Sequence, residues 1–185
     1  MTDFSRRQFL VAASAPLALA ACGNGVGSQG SARIDARVDQ AFNFMYANVP
    51  DAQTLASRAS GILMMPLITE AGFGVGAGFG RGALRVDGIT IDYYSATNAS
   101  VGLQIGAQQY AHALFFMTPA ALNDFRTSPG WVAGADLEYA VSSNAAALTT
   151  DTTSLLTPVV AVVFGQAGLI AGATVEGQKY NRIIP

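Results

Sequence analysis

The chain has 185 residues, of which 51% are apolar and 12% charged, with a formal net charge of −2. This is long enough for one domain with a substantial core and too apolar for a disordered chain. Acids outnumber bases, and Lys179 is the only lysine; that composition excludes ordinary nucleic-acid binding, which relies on neutralising phosphates with Lys and Arg.

The first residues read as an export signal. Arg6 and Arg7 give a charged start with a twin-arginine pattern. Leu10 to Ala21 is an apolar run too short for a bilayer span, which needs about 20 residues. It ends in Leu19-Ala20-Ala21-Cys22, which resembles a bacterial lipobox, so Cys22 is expected to carry the acyl chains. The expected organisation is a signal peptide over 1–21, a Gly/Ser-rich flexible tether over 22–30, and one domain over 31–185. Gly23 follows the cysteine, and resemblance to bacterial lipoproteins then implies the outer membrane, facing the periplasm.

Ser31 is placed to cap a helix in which Ile34, Val38, Phe42, Met45 and Val49 recur at helical spacing. The other face carries Arg33, Asp35, Arg37 and Asp39 and reads as a solvated face. A second helix is expected from Asp51 to Ser60, stopped by Gly61. Ile62 to Met65 then reads as a short buried strand ended by Pro66.

The most informative stretch follows. Every even position from Gly72 to Gly82 is glycine, with Phe73, Val75, Ala77, Phe79 and Arg81 between. Period two means a strand with one bare face, against which another backbone or a flat ligand can pack closely. No glycine stands at the spacing of a dinucleotide fingerprint, so no phosphate loop of that kind is encoded. Asp87-Gly88 signals a hairpin turn, Ile89 to Tyr94 the return strand, and Ser95 to Asn98 a loop.

Ser100 to Met117 alternates again, with Gly102, Gln104, Gly106, Gln108, Tyr110 and His112 sharing a face. Thr118-Pro119 reads as N-cap and first turn of a helix to about Arg126, ended by Ser128-Pro129-Gly130. Trp131 to Val141 is expected as a strand and Ser142 to Ser154 as a polar loop. A terminal hairpin is expected from Val159–Phe164, a turn over 165–168, and Leu169–Gly177. The fold class is α+β: a strongly twisted, mainly antiparallel sheet, open or barrel-like, with several helices packed on it in a single domain.

Counting residues limits the chemistry. One cysteine and one histidine exclude Cys/His zinc clusters and HExxH sites, so no metal or cofactor is expected. There is no G-x-S-x-G elbow, and His112 reads as a hydrogen-bonded core histidine. Gly172 to Lys179 approaches a P-loop but has Gln178 where that loop needs lysine. Asp136 and Glu138 could share a strand face and read as solvated charges.

Three blocks, AGFGVGAGFGRGAL (71–84), NASVGLQIGAQQYAHALFFMT (98–118) and FGQAGLIAGATVEGQKYNRI (164–183), together resemble the SYLF domain, also called the Ysc84-type or Las17-binding-protein domain. The resemblance covers roughly 32–184 and points to its bacterial lipoprotein branch. It implies a non-enzymatic, lipid-binding domain; eukaryotic members bind phosphoinositides and fungal ones actin filaments. The expected function is thus a lipid-anchored envelope protein whose partner is membrane lipid. Arg81, Arg85, Lys179 and Arg182 are the candidate headgroup contacts. The alternative is an interaction lipoprotein that binds an envelope protein or the cell wall. A transmembrane β-barrel is disfavoured because the helical segments leave too few strands.

Overall fold

A computed structural model describes residues 29–134, 138–141, 157–165 and 175–185. The apolar stripe folds as expected into helix α1, Gly30–Asn48, burying Ile34, Val38, Ala41, Phe42 and Met45. Its start differs: Gln29 holds the N-cap position without a side-chain bond, and Ser31 lies inside the first turn. The buried stripe, rather than a cap, holds this helix. Helix α2, Ala52–Arg58, follows Asp51, whose backbone is left-handed (φ 61°) and whose side chain makes no capping bond.

Strands β1 (Gly61–Val86) and β2 (Ile89–Phe116) form one antiparallel hairpin, paired from Gly61↔Phe116 to Val86↔Ile89. Its turn is Asp87-Gly88, both with positive φ (51° and 78°), as an Asp-Gly hairpin turn requires. Two expected breaks are absent. Pro66 does not end a strand; it lies in the register shift between Met65 and Ile68, on a strand that among the described strands pairs with β2, where a missing N–H is tolerated. Ser95 to Asn98 is not a loop; it is bonded to β1 on one side, and Ser95 to Thr97 pair with the chain's last strand on the other.

A strand of 26 residues at about 3.3 Å each is far longer than a domain of this size can hold straight. The hairpin bends, with further register shifts at Phe73/Val75 and Leu84/Arg85. Its glycine half comes back over its own first half. A Cβ on Gly80 would stand 2.5 Å from the Leu67 carbonyl oxygen, and one on Gly82 would collide with that of Met64. The neighbour that the bare face admits is therefore the same strand's backbone. Phe79 and Arg81, between these glycines, point outward and are exposed.

Helix α3, Pro119–Thr127, starts as expected, with the Thr118 hydroxyl accepting the Ala121 N–H at 3.1 Å. Trp131 to Val141 gives two short strands instead of one, β3 (Trp131–Val132) and β4 (Glu138–Val141). Strand β5, Val159–Phe164, is buried throughout. The hairpin expected to follow it falls mostly on residues outside those described, as does the loop over 142–154. Strand β6, Lys179–Ile183, was not expected; it pairs with β2 and β3.

The described strands make one six-stranded, curled, half-barrel sheet with order β3-β6-β2-β5-β4 and β1 along the other edge of β2. All pairs are antiparallel except β4 with β5. Strands β6 and β5 share one edge of β2, at Tyr93–Thr97 and Ala111–Phe116. The α+β class holds. Two cores lie on the two faces of the sheet. One packs α1 and α2 against Met64, Ala83, Phe115, Val160 and Phe164. The other fills the inside of the half-barrel with Leu63, Met65, Ile68, Tyr110, Phe116 and Tyr180, closed by Phe125 of α3.

Candidate functional site

Inside the half-barrel, the alternation of β2 aims Gln108, Tyr110 and His112 inward, where they meet Glu70 of β1 and Gln178 and Tyr180 at β6. These six side chains form one hydrogen-bonded chain. The Glu70 carboxylate accepts from Tyr110 Oη at 2.8 Å, from Gln108 Nε2 at 2.5 Å and from Asn98 Nδ2. Tyr110 Oη accepts from Gln178 Nε2, and Gln178 Oε1 accepts from Tyr180 Oη at 3.2 Å. Tyr180 Oη lies 2.7 Å from His112 Nε2. With its hydroxyl proton on Gln178, Tyr180 accepts from a protonated Nε2, which fixes the histidine tautomer. Every donor then points one way, ending on a carboxylate, an order in which hydrogen bonds reinforce each other.

Burial sets the ionisation of this chain. It pushes His112 down to about 3, so the ring is neutral at physiological pH. Burial, then the Glu70 charge, pushes the Tyr110 hydroxyl far above its usual range. His112 Nδ1 has no partner among the described residues. The only histidine is thus fully buried and held by a tyrosine, as a core histidine should be. The sequence placed Gln108, Tyr110 and His112 on one face, with the Gln amides free to satisfy a buried partner, but did not identify Glu70, Gln178 or Tyr180 as those partners. The signal for that face was the Gln/Tyr/His alternation from 108 to 112 on a glycine-bearing strand.

On the outer face the cations fall into separate groups. Arg85 pairs with Asp39 of α1 at 2.6 Å and lies 5.5 Å from the Phe42 ring centroid. Asp35 of α1 accepts from Thr90 at 2.9 Å and from Tyr93 at 2.7 Å. Burial and then this carboxylate raise Tyr93 to about 12. Asp92 holds Arg126 at 2.9 Å and Arg182 at 3.5 Å. Burial, then Asp92, also raises Tyr94 to about 12. Lys179 is exposed on β6 beside Gly130.

Arg81 is in a different setting. It lies 5.7 Å from the Phe79 ring centroid, and both line a groove of about 350 Å³ with Arg33, Ile34 and Arg37 of α1 and Pro66 and Leu67 of β1. The four expected headgroup contacts therefore do not converge. Arg81 joins two arginines that the sequence assigned to a solvated helix face, Arg85 and Arg182 are ion-paired, and Lys179 stands apart on β6. Cys22, Arg6 and Arg7 lie outside the described residues. Among the described residues no group of three His, Cys, Asp or Glu could hold a metal ion. No described helix is long and apolar enough to cross a membrane.

A comparison with curated proteins finds no match. The family model "Ysc84: Las17-binding protein actin regulator" matches residues 97–182. That segment runs from β2 through β6 and supplies the inward Gln108–Tyr110–His112 face together with its partners Gln178 and Tyr180. Over residues 97–182 the chain thus matches a Ysc84, or SYLF, domain.

Proposed function

We propose that the chain is a lipid-anchored envelope protein whose SYLF domain binds lipid and catalyses no reaction. Residues 1–21 serve as the export signal, Arg6 and Arg7 at its head, and Cys22 takes the acyl chains. The tether over 22–30 then holds the domain at the periplasmic face of the outer membrane. The observation that carries this reading is the family match over 97–182, to a family described by binding and regulation. The buried polar chain supports it, because its side chains are consumed in joining β1, β2 and β6 to one another.

The family's description names a protein that is bound, Las17, and this favours one second reading: an interaction lipoprotein for an envelope protein. Metabolic labelling with a fatty acid is expected to mark the wild type and not Cys22→Ser. Native mass spectrometry of Cys22→Ser protein from its envelope is expected to show a bound lipid. Unlabelled wild type would overturn the anchor. A lipid-free domain that cross-links to one envelope protein would replace the first reading with the second.

A further inference from the structure

A second groove, of about 710 Å³, lies between α1, the end of α2 and the turn of the β1–β2 hairpin. That size falls within the range of small-molecule sites, roughly 300–1,000 Å³. Phe42 and Tyr46 of α1 form its apolar wall, their ring centroids 5.7 Å apart. Arg85 is held beside them by Asp39 at 2.6 Å and by the Phe42 ring. Its side chain is only 18% exposed, and its Nε is buried with no partner among the described residues. A guanidinium carries several N–H donors, so Arg85 still needs acceptors on the side that faces the groove. Asp39 is 57% exposed, which leaves its second oxygen open to accept. Asn43 and Asp87 add an amide and a carboxylate on the exposed rim. Burial raises the Tyr46 hydroxyl above its usual range, with Arg85 opposing the shift, so it stays a donor at neutral pH.

We propose that this groove binds a neutral saccharide, with Tyr46 against the sugar's C–H face and Arg85, Asp39 and Asn43 on its hydroxyls. The charges decide the ligand class. An anion would meet the Asp39 and Asp87 carboxylates, and a cation the Arg85 guanidinium. A hydroxyl suits both: it accepts from Arg85 and donates to Asp39 at once, and hydrogen bonds to charged groups are the strong ones. The Arg85–Asp39 pair presents donor and acceptor side by side, fixed in advance, so little ordering is needed when the sugar arrives. The half-buried Tyr46 ring, apolar in body and polar at its tip, suits a ring ligand with one apolar face. A free sugar and a unit of a polymer offer the same hydroxyls. The site is separate from the lipid reading above, and neither needs the other.

The test uses the full chain carrying Cys22→Ser, alone and with Asn43→Ala or Tyr46→Leu. Calorimetric titration with maltotriose and with the N-acetylglucosamine trisaccharide covers free sugars. Co-sedimentation with purified peptidoglycan covers a polymer. Asn43→Ala, at an exposed position of α1, removes one hydrogen bond without touching the core and should weaken binding about fivefold. Tyr46→Leu removes the ring and its hydroxyl and should weaken binding roughly tenfold. Thermal melts identify any loss of fold in Tyr46→Leu, in which case Asn43→Ala carries the test. Added salt should change the affinity little, because the ligand has no charge. A trisaccharide that binds the parent and binds both variants more weakly makes a free sugar the ligand. If only peptidoglycan sediments the parent, and carries down less of Asn43→Ala, the ligand is a polymer unit. Binding unchanged in both variants would overturn the groove, and no binding to any of the three probes would overturn the saccharide. Neither result bears on the acyl anchor or on a bound lipid, which labelling and native mass spectrometry read separately.

Discussion

A methyl group on Gly82 would run into the Met64 carbonyl oxygen and stand 2.5 Å from Met65 Sδ, whereas one on Gly88 would meet nothing. The two glycines are needed for different reasons. At Gly82 the obstacle is backbone, which cannot swing aside, so Gly82→Ala is expected to cost about 3 kcal/mol. At Gly88 the cost is only the positive φ of 78°, roughly 1–2 kcal/mol. Thermal melts should rank them in that order, and equal losses would mean the strand's two halves do not touch. His112 gives a second residue-scale expectation. Its pKa falls from about 6.5 unfolded to about 3 folded because burial disfavours the cation. The unfolded chain therefore binds the extra proton, and stability is full above about pH 6.5 and declines as pH falls toward 3. The slope from this one group is about 1.4 kcal/mol per pH unit at most. Urea midpoints for wild type and His112→Gln should converge as pH drops from about 7 to about 5; parallel lines would contradict a buried neutral ring.

At the scale of elements, what could be read from sequence was what local chemistry decides. The stripe of α1, the Asp87-Gly88 turn, and the Thr118-Pro119 start of α3 each sit where spacing or capping placed them. Removing the last cap with Thr118→Ala should lower stability by about 1 kcal/mol, seen as a shift of the urea midpoint. The misread elements were those decided by distant partners. Pro66 reads as a breaker because the sequence does not say that β1, among the described strands, lies at an edge beside β2. Ser95 to Asn98 reads as a loop because its polar side chains are visible and its two ladders are not. Strand β6, five residues with Tyr180 alone fully buried, carries too little alternation to be seen. The glycine face was legible as a close approach; that the approaching backbone was its own strand was not. The arginine groove was half legible, through Arg81, since Arg33 and Arg37 join it only when α1 lies across β1.

The whole molecule is a bent hairpin that must be held bent. Strand β6 grips β2 at Tyr93–Thr97 and β5 grips it at Ala111–Phe116, so each half of the hairpin has its own fastening. The interior chain crosses between them, from Glu70 and Tyr110 on the hairpin to Gln178 and Tyr180 at β6, and back to His112 on β2. Deleting either tyrosine hydroxyl leaves buried groups unpaired, at roughly 1–3 kcal/mol each. If the chain acts as one unit, Tyr110→Phe already disorders the alignment that Tyr180 needs. The double variant Tyr110→Phe/Tyr180→Phe should then cost less than the two single losses together, by about 1 kcal/mol or more. The two hydroxyls are linked through the Gln178 side chain, which bonds to both, so Gln178→Leu should abolish that coupling by removing the link. Equilibrium unfolding of the parent, the three tyrosine variants and their Gln178→Leu counterparts gives the full cycle. Strict additivity in the Gln178 background would show two independent bonds and no coupled unit.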